Sequence, residues 1–457
     1  MTLASARPNR RAPITTDVQV VPDTQNVPST HDPLNHHDVP AQAGPARQDT
    51  TAATARTRRR TLLLVIVLGV LSAIGPLATD LYLPALPQIA SDLGTSEASV
   101  KLTLTSVMAG LALGQLVIGP LSDRWGRRAP LLVGIGVFTA TTLAIATVSS
   151  VEMFSLLRFG QGLSAAAGLV ISRAIVRDVF DGDAAATFFS RLVLLSGLAP
   201  MLGPILGGQL LFFGPWQLLF AVLGATGLAT FALVLFGLPE SLPPEQRERV
   251  SPRAQLRVFG RLLRDVRFTA PTLTLALSFG MSFTYISTFS FVAHSRFGAS
   301  AQEFSLVFAV TTLGMIIGNQ LNAYLIRRVE IHRRLFLGLA GSIASVTALA
   351  ALGGSGGASL TTVTAALFVM MVFTGLVSPN ATALALDGQP PKIAGSGSAL
   401  LGTLQFGIGS GLASTAGLTG PVSLASMTTV MLATAVAAAV VFTAFAVRTR
   451  HTALAAA

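Results

Sequence analysis

Residues 62–92 read LLLVIVLGVLSAIGPLATDLYLPALPQIASD, and positions 62–79 of that run carry no charged side chain. Crossing a hydrocarbon core of about 30 Å takes about 20 residues at the rise of an α-helix, and in lipid each backbone polar group needs an internal partner. Such a run dictates a membrane-spanning helix. It leads into Asp80. A carboxylate inside a spanning helix costs about 2.5–3.5 kcal/mol on the insertion scale, so it faces the protein interior or a watery cavity and has a partner or a task. Asp80 is therefore taken as the functional centre. The competing assignment is an interfacial residue near the outer end of the helix, with the proline-rich LPALP marking the exit, since a carboxylate near a helix end is cheaper to place.

Across 457 residues, 51% are hydrophobic and only 11% are charged, a balance that belongs to integral membrane proteins. Apolar segments recur at 102–121, 129–149, 153–172, 187–212, 215–238, 269–293, 304–326, 335–353, 361–386, 395–417 and 423–447. With the first, they predict an all-α integral membrane protein of twelve transmembrane helices. The formal charge of +11 would suggest nucleic acid in a soluble chain, but its distribution follows membrane orientation. Placing both termini in the cytoplasm puts Arg124, Arg127, Arg128, Arg173, Arg177, the arginines from 247 to 267, Arg327, Arg328, Arg333, Arg334, Lys392, Arg448 and Arg450 on the inner side. Only Lys101 and Arg296 are left in external loops. Basic residues accumulate on cytoplasmic loops, so a multi-pass protein of the inner (plasma) membrane is expected. Cysteine is absent, which excludes a disulfide framework or a thiolate metal site.

Residues 1–55, rich in Pro, Thr, Asp and His, predict a disordered cytoplasmic tail. His31, His36 and His37 within it suit a solvated tract better than a metal site, and no metal is expected. The tail lacks the apolar core and cleavage site of a signal peptide, and Arg56, Arg58, Arg59 and Arg60 follow it directly. The remaining organisation is a six-helix half at 56–238, a linker at 239–268, a second six-helix half at 269–447 and a short cytoplasmic tail at 448–457. The linker's amphipathic basic stretch fits a solvated positive-inside segment, or one that lies on anionic lipid. At an offset of 200 positions, Gly114, Arg127 and Arg128 match Gly314, Arg327 and Arg328, which suggests two pseudo-symmetric bundles.

The strongest local motif is Gly119-Pro-Leu-Ser-Asp-Arg-Trp-Gly-Arg-Arg128, in the turn between helices 2 and 3. Gly119 permits close helix contact and Gly126 a tight turn. Asp123 sits among Arg124, Arg127 and Arg128, where charge-assisted hydrogen bonds can form. Helix 4 carries Arg158-Phe-Gly-Gln161-Gly162. A guanidinium there needs an acceptor, with Asp80 the obvious one and Glu152, backbone carbonyls or water the alternatives. In helix 5, Ala199, Gly203 and Gly207 recur every four residues as a smooth packing face, while Pro200 and Pro204 permit bending.

These motifs resemble the major facilitator superfamily. Its loop signature G-x-L-x-D-R-x-G-R-R is matched at Gly119, Leu121, Asp123, Arg124, Gly126, Arg127 and Arg128. In that family the loop is understood as a conformational latch between the halves. The copy in the second half is degraded, with Ala323 and Ile326 where the Asp and second Gly would be, so a latch there would rest on its arginines. R-x-x-Q-G at Arg158, Gln161 and Gly162 is similar to the motif associated with proton coupling in antiporter-like members. Gly203, Pro204, Gly207 and Gly208 are similar to the drug and proton antiporter pattern of helix 5. Thr79-Asp-Leu-Tyr-Leu-Pro-Ala-Leu-Pro87, Ser172-Arg-Ala-Ile-Val-Arg-Asp178, Ser378-Pro-Asn-Ala-Thr382 and Ala394-Gly-Ser-Gly-Ser-Ala399 resemble the Bcr/CflA group of drug-resistance transporters. Some multidrug relatives have a further carboxylate two turns before the helix 1 Asp, where this chain has Ser72.

The resemblance implies proton-coupled efflux of small amphiphilic drugs or antibiotics by alternating access, with amphenicols, bicyclomycin and sulfonamides among the cargo of related transporters. The alternative is a proton-coupled transporter of an endogenous metabolite. Asp80, tuned by Arg158, would couple the proton, and the 119–128 loop would bias which side is open. Partners would be the drug, protons and the bilayer, with no nucleic acid, no cofactor beyond the proton gradient, and a monomeric chain. Candidate pocket residues on the predicted helices are Tyr82, Gln161, Phe283, Tyr285, Phe289, Asn380 and Gln405. No enzyme is expected, since H-E-x-x-H and paired intramembrane carboxylates are missing.

Overall fold

In a computed structural model of the chain, residues 64–456 are described apart from 181, 248–250 and 418–420. The expected tail at 1–55, its three histidines and the arginines at 56, 58, 59 and 60 lie outside the described residues. The first helix, α1, covers 64–80 and stops at Asp80, where a turn at 81–82 leads into a 3-10 segment Leu83–Ala85 and then α2, Leu86–Asp92. Pro84 explains the stop. It has no N–H to give the carbonyl four residues back, which is that of Asp80, and its ring clashes with that carbonyl. The single helix expected over 62–92 is thus broken at the residue singled out from the sequence.

The remaining elements are α3 (Glu97–Trp125), α4 (Arg128–Ile145), α5 (Val151–Val179), α6 (Gly182–Phe213), α7 (Gln217–Gly237), α8 (Pro252–Arg264), α9 (Val266–Phe297), α10 (Ala301–Leu325), α11 (Ile331–Gly354), α12 (Leu360–Leu386), α13 (Pro391–Ser414) and α14 (Leu424–Ala456). Ten helices are long and apolar enough to cross a membrane, counting Leu64–Asp92 as one. The proline-rich α6, with its apolar stretch Gly197–Phe213, and the Gly/Ser-rich α13 bring the crossings to twelve. Most helices outlast their apolar segments by one or two turns, because hydropathy marks the hydrocarbon and not the helix end. For the same reason the expected linker 239–268 is partly helical: α8 occupies its second half and α9 begins inside it.

Serines cap the crossings at one end of the molecule. Ser96 accepts from Ser99 N–H at 3.1 Å and Ser150 from Met153 N–H at 3.3 Å, while Ser300 forms a reciprocal capping box with Glu303. The opposite end, with the α3–α4, α7–α8 and α10–α11 connections, bears the arginines and is called the basic end below.

In the first bundle α3 packs on α5, and α4 on α5 and α7; in the second, α10 and α11 pack on α12, and α9 on α12, α13 and α14. The repeat seen in the sequence has a packing cause. A side chain at Gly114 would fall 2.6 Å from the carbonyl oxygen of Leu163 on α5, and one at Gly314 would fall 2.7 Å from that of Phe368 on α12. Gly119 is different: the nearest atom to a Cβ there is Val170 Cγ1 at 4.0 Å, so the close helix contact expected of it belongs to Gly114. A second internal repeat, invisible at a fixed offset, pairs Tyr82 with Thr103 at 2.9 Å and Tyr285 with Thr311 at 2.7 Å. The two bundles meet along α3 with α13 and along α6 with α10.

Candidate functional site

Asp80 sits at the break in helix 1 and is 8% exposed. Two glycines of α6 hold the turn. A Cβ at Gly203 would stand 3.1 Å from Asp80 Cβ, and one at Gly207 would overlap the Leu81 carbonyl oxygen, so backbone meets backbone there. Gly203 and Gly207 of the α6 pattern therefore hold the Asp80 turn directly. Gly208 faces the other way, onto Ala301 and Ser305 of α10, and Pro204 accepts a hydrogen bond from Ser305 Oγ at 2.6 Å.

Asp80 opens onto a cavity of about 500 Å³ between the bundles, whose walls include Met108, Phe279, Phe283, Phe308, Met371 and Phe406. Gln405 and Phe283, both expected pocket residues, line it. The other five do not. Tyr82 and Tyr285 are buried with their hydroxyls on threonines, and Phe289 packs against Tyr285 in the core. Gln161 donates to Thr142 Oγ1 at 2.7 Å, and Asn380 to Asn322 Oδ1 at 2.7 Å. Each of these polar side chains is occupied in satisfying another buried group, which is the usual condition of a polar group inside a protein.

Arg158 is fully buried, yet Asp80 is not its acceptor, contrary to the pairing favoured from the sequence. Its Nη1 donates to the Ala78 carbonyl at 2.7 Å and to Gln161 Oε1 at 2.5 Å, and its guanidinium carbon lies 4.1 Å above the Tyr82 ring. The break explains this. A helix leaves its last four carbonyls without intrahelical donors, and Ala78 is one of them. Arg158 thus secures the end of α1, and the Asp80 carboxylate stays on the cavity wall.

At the basic end, Arg127 Nε donates to Asp178 Oδ2 at 2.8 Å, Nη1 donates to Ser122 at 2.9 Å, and the same guanidinium pairs with Asp123. Burial opposes the Arg127 charge, but the two carboxylates outweigh it and hold the group above its ordinary value. Glu240 accepts the backbone N–H groups of Arg127 at 2.7 Å and Arg128 at 3.2 Å. Burial pushes the Glu240 carboxyl up, while those N–H donors, that of Leu242 and the nearby Arg247 more than offset it and hold it below the usual range. Gly126 has φ of +90°, and the Glu240 carboxylate occupies the space where a Cβ would be, so only glycine fits. Arg128 donates to the Leu235 carbonyl at 2.6 Å, and Arg124 is exposed. Asp178, Glu240, Arg247 and Leu235 all precede α8, so these latch contacts join elements of one bundle and not the two halves. Asp178 closes the Ser172–Asp178 motif and Glu240 follows α7 in LPES; neither was singled out, because only the fold brings them to the 119–128 turn.

In the second bundle the corresponding place is held by Arg334, which donates to Asn322 Oδ1 at 2.9 Å and to the Val329 carbonyl at 3.0 Å. Arg327 and Arg328, the residues expected there, are exposed. The end opposite the basic one is closed between the bundles: buried Lys101 donates to the Ala416 carbonyl, and Gln302 Nε2 to the Gly208 carbonyl at 3.1 Å. Among the described residues no cluster of His, Cys, Asp and Glu has the makings of a metal site.

Residues 68–414 match the model of the Major Facilitator Superfamily. The chain belongs to that superfamily. It is 38% identical to the uncharacterized MFS-type transporter YdgK of Bacillus subtilis over 359 residues, 78% of this chain and 88% of the relative. It is 32% identical to the bicyclomycin resistance protein homolog of Haemophilus influenzae over 355 residues, 77% of this chain and 88% of that one. Among solved structures, the nucleoside transporter NupG superposes with a TM-score of 0.68 at 15% identity, covering 84% of this chain and 99% of that one, a likeness of fold. The transporter is thus an integral membrane protein of a drug-resistance branch of the superfamily.

Proposed function

We propose that the transporter exports small amphiphilic drugs in exchange for protons, by alternating access of one central cavity, as a monomer in the inner membrane. One observation carries this: Asp80, the only carboxylate on the cavity wall among the described residues, faces a space otherwise lined mainly by aromatic, aliphatic and thioether side chains. Such walls suit apolar ligands, and a lone carboxylate among them suits a group that a proton and a cargo occupy in turn. The relationship to a bicyclomycin resistance homolog supports drugs as the cargo class.

The basic end faces the cytoplasm under the positive-inside rule. Closure of the opposite end by Lys101, Gln302 and Ser305 supports reading this conformation as inward-facing. Drug entering from the cytoplasm or inner leaflet favours deprotonated Asp80, and a proton arriving from outside reloads it as the drug leaves. Arg158 keeps the end of α1 fixed through Ala78 while Asp80 cycles. The Arg127–Asp123–Asp178 cluster stiffens the first bundle at its basic end, so that it rocks as a body.

Reconstituted in vesicles of known orientation, the wild-type protein is expected to accumulate an amphiphilic antibiotic against its gradient when the lumen is acidic, and to stop when an uncoupler is added. Asp80→Asn is expected to abolish accumulation while inserting normally. Full transport by that variant would refute the proposal.

A further inference from the structure

The cavity holds a second ionisable side chain that the cycle above does not use. Arg173 lies on α5, 15 residues after Arg158, which at helical rise places it about 22 Å closer to the basic end. Residues 169 and 173 are one turn apart, and both line the same cavity as Asp80. Arg173 is exposed, follows directly on the apolar segment of α5, and lines the cavity. Its guanidinium has no hydrogen bond, ion pair or ring stacking with any described residue. Arg158, by contrast, is sealed among a carbonyl, an amide and an aromatic ring. An arginine that only marks the cytoplasmic side would lie in the headgroup region or be tied to a neighbour, as Arg127 and Arg334 are.

We infer that Arg173 is the polar recognition group of the cargo site, and that the transporter selects amphiphiles carrying a hydrogen-bond-accepting or anionic group at one end of an apolar body. This rests on the export function proposed above. The planar fork of a guanidinium matches a carboxylate, nitro or sulfonyl group, and the aromatic walls receive the remainder of the molecule. The neighbouring Arg177 adds positive field at the same mouth. A lipophilic monocation without an acceptor meets two like charges there before it reaches Asp80, and is disfavoured.

The test uses full-length protein in proteoliposomes and two probes: chloramphenicol, a neutral nitroaromatic amphiphile, and tetraphenylphosphonium, a lipophilic cation without an acceptor. Wild type is expected to transport chloramphenicol and to handle tetraphenylphosphonium poorly. Arg173→Gln is expected to weaken chloramphenicol uptake by about tenfold to a hundredfold, the usual weight of a hydrogen bond to a charged group, and to raise tetraphenylphosphonium transport. Arg173→Lys, which keeps the charge and loses the fork, is expected to fall between for chloramphenicol and to keep tetraphenylphosphonium excluded. The gain for the cation separates lost recognition from lost folding, since a misfolded variant gains nothing. Chloramphenicol transport unchanged in Arg173→Gln, or wild type preferring the cation, would overturn this inference and leave export standing. Wild type moving neither probe would overturn both.

Discussion

Alanine scanning of α6 offers a graded test of how Asp80 is held. Gly197 has nothing within 4 Å of a built Cβ. Alanine there removes backbone freedom from the unfolded chain without a clash, so it is expected to stabilise by about 0.5–1 kcal/mol. At Gly203 the nearest atoms are Asp80 Cβ at 3.1 Å and Leu81 N at 3.2 Å, a gap that closes with a shift of a few tenths of an ångström. That places Gly203→Ala near the lower end of the overpacking range, about 1 kcal/mol. At Gly207 the Cβ would overlap the Leu81 carbonyl oxygen and stand 3.0 Å from its carbon. A backbone carbonyl in a turn fixed by Pro84 has nowhere to rotate, so Gly207→Ala is expected to cost about 3 kcal/mol or more. Apparent melting temperatures of the purified variants in one detergent should therefore fall in the order Gly197→Ala, wild type, Gly203→Ala, Gly207→Ala. Proton-coupled exchange should be retained in the first and lost in the last, where the Asp80 turn has been displaced. If Gly207→Ala melts with or above Gly203→Ala, then α6 does not press on the break in helix 1, and the account of how Asp80 is positioned is wrong.

Two further outcomes follow from the two ends of the molecule. Because Glu240 is held below its ordinary value, its stabilising contribution is present above the unfolded value of about 4.3 and disappears as pH falls through the lower folded value. Glu240→Gln should therefore melt below wild type at neutral pH, with the gap closing in strong acid; a gap that widens on acidification would contradict the Glu240 clasp. Lys101→Met removes a buried charged donor from the seal to Ala416 and should enlarge the population open at that end by about tenfold or more. Since the chain has no cysteine, spin labels at cysteines introduced for Glu97 and Thr415 report only on that seal, and an unchanged distance distribution would show that Lys101 does not hold it.

The crossings and the place of Asp80 were legible because each depends on a local signal: an uncharged run of spanning length, then one acid that lipid would not tolerate without cause. The repeat was legible for the same reason, since Gly114 and Gly314 must both admit a partner helix. What stayed hidden depends on which face of a helix turns inward. Tyr82, Tyr285, Phe289 and Asn380 looked like pocket residues by type, but threonine, ring and amide partners from other helices absorb them. Phe279, Phe406 and Met371 line the cavity without any local mark that separates them from ordinary core. Arg158 was expected beside a carboxylate because charge pairing is the simplest inference. Pro84, four residues after Asp80, was the available clue that a carbonyl would be freed nearby. Arg173 was read as one more positive-inside residue, since hydropathy cannot distinguish a loop from the mouth of a cavity.

In the proposed cycle Asp80 gives up a proton when cargo occupies the cavity. That step is met most directly by measuring proton release from purified protein in weakly buffered detergent solution as saturating chloramphenicol is added. Wild type is expected to release up to one proton per cargo bound, with a yield that depends on pH, and Asp80→Asn to bind without releasing any. Equal release from both proteins, or binding by wild type with none at any pH, would contradict it.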